Sequence, residues 1–138
     1  MMTVQQGVGR LVEVRIASPV ALEDFPGLIK GLQDAMAPHP KVVFCVDWRG
    51  ASVFEPEVSE RFLEIMKNDN PKIERSAFLI GKKAIFGMQL ERLIASAGNP
   101  NRKTFRESFD VGVWLAHVLT PLERVRLVQF MGEYTPPA

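Results

Sequence analysis

Apolar and polar positions follow two rhythms along this chain. In Leu11–Ala17, Val12, Val14 and Ile16 alternate with Glu13 and Arg15. A period of two predicts a strand with one solvated face. In Val42–Val46 the apolar run is unbroken and stops at Asp47. Five residues are too few for a helix, and the run is rich in β-branched and aromatic side chains. It predicts a central strand of a parallel sheet, buried on both faces, with a polar turn at Asp47–Gly50. Ser76–Ile80 repeats the pattern and closes on Gly81-Lys82-Lys83. Thr3–Gln6 predicts a short edge strand, turned by Gly7 and Gly9. The basic segment Arg102–Arg106 predicts a strand near the sheet edge, where charge blocks unwanted pairing.

Between these runs the spacing changes to three and four. Leu22, Phe25, Leu28, Ile29, Leu32 and Met36 mark a first amphipathic helix, with Pro26 in its first turn. Val58, Phe62, Ile65 and Met66 mark a second over Pro56–Lys67, followed by the turn Asn68–Pro71. Phe86, Leu90, Leu93, Ile94 and Ala97 mark a third over Ile85–Ala97, ended by Gly98. Phe109, Val113, Trp114 and Val118 mark a fourth that Ser108 could cap. Thr120-Pro121-Leu122-Glu123 is a strong start for a fifth, whose stripe is Leu127, Phe130, Met131 and Tyr134. Residues 1–134 form one domain, and Thr135–Ala138 is expected to be a disordered tail. The alternation of strands and helices predicts an α/β fold. Its sheet is mostly parallel with four to five strands, helices pack on it, and two helices stand at the C-terminus.

Composition narrows the function. The 138 residues are 46% hydrophobic with a net charge of +1. A core of ordinary size is therefore expected, with no nucleic-acid partner. The single cysteine, Cys45, sits mid-strand and reads as a small inert hydrophobe in a reducing, cytoplasmic setting. No apolar stretch suggests membrane insertion. His39 lies in a loop between two prolines and His117 in a helix, far apart and neither expected near Cys45, so neither a metal set nor a cysteine–histidine pair is signalled. No catalytic residue and no cofactor is expected.

The order of elements resembles the STAS domain, and within it the bacterial anti-sigma-factor-antagonist-like subgroup, relatives of which are compared with the CRAL–TRIO lipid-binding fold. Leu22–Phe25, Val46–Gly50, Phe78–Gly81, Phe105–Phe109 and Trp114-Leu115 carry the resemblance. It implies a serine at the start of the second helix whose phosphorylation switches partner binding. The matching stretch here is Val53–Pro56, without the Asp-Ser/Thr-x-Gly signature. Glu55 would stand in as a fixed charge, and Ser52, the nearest hydroxyl, is the candidate phosphosite or a plain turn former.

Loops after parallel strands meet along one rim, where ligands bind. That rim would gather Asp47, Trp48 and Arg49, then Phe54 and Glu55, Lys82 and Lys83, and Arg106. Asp47 would cap its own turn. Trp48 and Phe54 are either exposed anchors or core cover. The expected function is a non-catalytic regulatory or scaffold domain that docks a protein partner at this rim and helix two. The alternative is a carrier of a small molecule or lipid, with an apolar pocket between helices two and three and the sheet, hinted at by Leu63, Ile85 and Met88. Val125 and Val128 offer surface for a homodimer.

Overall fold

The computed structural model describes residues 1–136; Pro137 and Ala138 of the expected tail lie outside them. The elements are β1 (Met2–Gln6), β2 (Leu11–Ala17), α1 (Phe25–Met36), β3 (Val42–Gly50), α2 (Pro56–Asp69) and β4 (Ile73–Leu79). They continue with α3 (Ala84–Ala97), β5 (Arg102–Phe105), α4 (Ser108–Ala116) and α5 (Pro121–Gly132). The strands stand in sequence order in one sheet. β1 pairs antiparallel with β2, and every later pair is parallel. The α/β class and the mostly parallel sheet are as expected. The segment Val42–Val46 lies in the middle strand, with Cys45 fully buried.

Each crossover from β2 to β5 moves one strand in the same direction. Crossovers of one hand then place their helices on one face. There α1, α2 and α3 cover Val12, Val14, Phe44, Val46, Trp48 and Phe78. The opposite face is covered by α4 and α5, over Leu11, Val43, Cys45, Ala77 and Leu79. Both faces of β3 are therefore dry, which is why its apolar run does not alternate.

Five expectations are corrected. Glu13 and Arg15 do not face solvent: α5 covers them, and Glu13 is buried. β3 does not stop at Asp47 but runs on to Gly50. Asp69 is not in an open turn; it ends α2 and is buried. The inward stripe of α4 is Val111 and Leu115, while Phe109 and Val113 are exposed. That helix is almost wholly apolar, so its sequence has no polar face to orient it. Ser108 is its first residue and makes no side-chain cap.

The start of α5 matches its signature. Thr120 accepts from the Glu123 N–H at 3.2 Å, and the Glu123 carboxylate accepts from the Thr120 N–H at 2.8 Å. Glu123 also accepts from the Arg10 N–H at 2.7 Å. Burial opposes ionisation of Glu123, yet these N–H donors hold its carboxyl below its usual range. The turn at Gly9 has a positive φ of 59°, and a Cβ there would strike this carboxylate.

Candidate functional site

The expected rim separates into a buried part and an exposed part. Trp48 is 2% exposed and Phe54 is 7% exposed, so neither is a surface anchor. Trp48 faces the three-helix side, with ring centroids of Phe62 and Phe78 at 5.2 Å, Phe54 at 5.8 Å and Phe86 at 6.1 Å. Strand alternation puts Asp47 and Arg49 on the other side, under α5. Asp47 is fully buried. It accepts from the Arg49 N–H at 3.0 Å and from its Nε at 2.9 Å, but both residues lie within β3, so the turn it was expected to cap is absent. It also pairs with Arg15.

This carboxylate organises the end of α5. Arg15 donates to the Phe130 carbonyl at 2.8 Å, and Arg49 donates to the Met131 carbonyl at 2.7 Å. Two cations of the sheet thus satisfy the last carbonyls of a helix, where its dipole is negative. Their guanidiniums also stack on Phe130 and Tyr134, at 4.2 and 4.4 Å from the ring centroids. One turn back, Arg126 clamps buried Glu13 with two bonds of 2.7 Å. Cys45 lies within this group. Burial first, then the charge on Asp47, pushes its thiol well above the usual range, so it is inert at neutral pH.

The exposed part of the rim holds Ser52, Val53, Glu55, Lys82, Ile85, Arg106 and Phe109. Lys83 is tied down, donating to the Ala51 carbonyl at 2.6 Å. Lys82 stands 4.0 Å from Glu107, both well exposed, which contributes little. Ser52 is exposed, its N–H held by the Ser18 hydroxyl at 2.9 Å. Glu55 is the residue before α2 but its side chain does not cap the helix. Ile85 is 73% exposed and Phe109 77% exposed. With Val53, they place one large apolar side chain after each of the adjacent strands β3, β4 and β5. Ile85 carried a signal in the sequence, since it lies off the inward stripe of α3. Phe109 carried none, because its helix lacks a polar face.

No family model, curated protein or solved structure matches the chain.

Two further features extend beyond the rim, the first of them starting at Phe109. A groove of about 780 Å³ runs between α4 and α5, past Gly112, Ala116 and Gly132. Val113, Val125 and Val128 are exposed beside it. On the other face, a cavity of about 50 Å³ lies beneath α2 and is lined by α1, α2 and the sheet. Leu63, Ile85 and Met88 do not line it; Ile85 and Met88 are on the surface. At one end of this cavity are Asp69, Ser76 and Arg102. Arg102 is no edge charge facing water: it is 4% exposed, donating to Asn70 at 2.9 Å and to the Met66 carbonyl at 3.1 Å. Burial lowers its pKa to about 10, against the charge of Asp69.

Burial also raises the Asp69 carboxyl from 3.8 to about 6, against the Asn68 hydrogen bond and the charge of Arg102. A carboxyl raised on folding stabilises the fold when protonated. That stability is complete below about pH 4 and is lost as pH rises to about 6. Asp69→Asn is therefore expected to stabilise the protein by about 2 kcal/mol at pH 7. It should also flatten the urea-unfolding stability between pH 4 and 6. Equal stabilities of variant and parent at pH 7 would contradict this.

Among the described residues, no group of three or more His, Cys, Asp or Glu is placed to hold a metal ion. No helix among them is long and apolar enough to cross a membrane.

Proposed function

We propose that this chain is a non-catalytic, STAS-type regulatory or scaffold domain that docks a protein partner at the carboxyl end of its sheet. One observation carries this: Val53, Ile85 and Phe109 are exposed on three neighbouring strand exits, with the cations Lys82 and Arg106 among them. Large apolar groups rimmed by charge are what an interface presents before its partner arrives. The base beneath them is stiff. The Trp48–Phe54 aromatic cluster lies on one face, and the Asp47 ion pairs on the other. A rim held this way loses little freedom on binding. The STAS assignment is supported by the sequential strand order and by three crossover helices on one face. Glu55 and Ser52 lie beside Val53, so a charge added at Ser52 would fall within the docking face.

The test uses the Ile85→Glu, Phe109→Glu double variant. Both side chains are exposed, so its unfolding curve should match the parent. A partner captured by the parent chain should bind the variant about 30-fold or more weakly, as loss of central apolar anchors does. If the variant holds that partner with parental affinity, the rim is not the interface. Val125 and Val128 beside the α4–α5 groove favour a second reading, in which the partner is another copy of this chain.

A further inference from the structure

Arg102 makes two hydrogen bonds, but its Nε–H finds no acceptor among the described residues. A buried N–H without an acceptor is a substantial cost, and more so on a cation. Arg102 shares its cavity end with Ser76 and Asp69, and the rest of the lining is almost entirely hydrocarbon and aromatic. Asp69 contributes charge but forms no ion pair with Arg102 within 4.0 Å. Among the described residues, the other buried side-chain donor lacking an acceptor is Trp48 Nε1, also in this lining. It is set apart from Arg102. Arg102 pairs with Ser76, Ser76 with Phe44, and Trp48 lies four positions further along β3, roughly 13 Å. It is surrounded by rings, whose faces can take an N–H weakly.

We propose that the cavity beneath α2 is a binding site for a short-chain monocarboxylic acid, its carboxylate on Arg102 and its alkyl tail toward Phe44 and Phe62. This is independent of docking at the rim. Three observations favour that class. A guanidinium with an unused N–H is a directed receptor for carboxylate. The apolar lining suits hydrocarbon, and ordered waters, which each need two to four polar partners, would find them only at the Arg102 end. Size sets the length. At roughly 10–15 Å³ for each water-sized group, about 50 Å³ holds about three to five heavy atoms, two of them the carboxylate oxygens, so the acid has two or three carbons. Access comes from the cleft of about 310 Å³ between α1 and α2, which shares Leu32, Ile65 and Asp69 with the cavity. The Asp69 carboxyl, already pushed up by burial, can take a proton when a second carboxylate enters beside it.

The experiment follows the side-chain N–H resonances of Arg102 and Trp48 in the full chain by nitrogen-15 NMR. Acetate and propionate are titrated, with propanol as the uncharged control. The Arg102 Nε–H resonance should shift saturably, with a dissociation constant of about 1 mM or below. Propanol should bind at least about tenfold more weakly. Arg102→Met should abolish the preference for acid over alcohol. If that variant does not fold, the acid-against-alcohol comparison in the parent chain decides alone. The proposal is overturned if Arg102 does not respond to either acid, if propanol binds as well as propionate, or if the Arg102 Nε–H proves bonded to Asp69 and stays so in excess propionate.

Discussion

Asp47→Ala is expected to destabilise the fold by about 3–5 kcal/mol, the usual cost of breaking a buried ion pair from one side. The carboxylate is fully buried and serves two guanidiniums at once. Removing it leaves Arg15 and Arg49 close together, with half-exposed Glu133, 3.7 Å from Arg15, as the remaining counter-charge. Both are about a fifth to a quarter exposed and can take up water, which places the effect toward the lower end of the range. The damage should be directional. Arg15 and Arg49 hold the Phe130 and Met131 carbonyls, so the end of α5 loosens before the sheet does. Hydrogen exchange should show lost protection in α5 at denaturant concentrations where β3 and β4 remain protected. A cost below about 1 kcal/mol in urea unfolding would mean that α5 is held mainly by its apolar stripe.

Trp48→Ala should cost a similar amount, about 3–5 kcal/mol, by a different route. Four phenylalanine rings stand around this indole, and its removal opens a hole that backbone in a central strand cannot close. Trp48→Phe keeps an aromatic ring there and should cost clearly less, because most of the edge-to-face contact survives. Guanidinium unfolding of the two variants gives the comparison. The experiment also separates the two roles open to Trp48 from sequence. An exposed anchor would lose partner binding at unchanged stability; a core residue loses stability first. Equal, small losses for both variants would argue against the packed cluster.

Much of the fold was legible because burial writes directly onto residue type. Val42–Val46 had to be covered on both sides, and Thr120–Glu123 had to begin a helix. What failed shares one cause. Alternation in β2 registered Glu13 and Arg15 as solvent-facing, but polarity along a strand cannot reveal that Arg126, more than a hundred positions on, supplies the counter-charge. The same holds for Arg102 beneath α2, which looks from sequence like a charge guarding a sheet edge. In the rim, Lys82, Glu55 and Arg106 are exposed as expected, whereas Trp48 and Phe54 turned inward. The alternation of β3 and the aromatics of α2 and α3 together settle their direction.

The order of strands and helices, the dry middle strand and the cap of α5 were determined by sequence alone, since each depends on neighbours within a few residues or on hydrophobicity summed along a run. The partners of buried charges, the orientation of α4 and the meeting of Arg102 with a cavity were decided only by tertiary structure. Those depend on which distant segments come within a few ångströms, and Coulomb and hydrogen-bond energies at that range carry no trace in local composition.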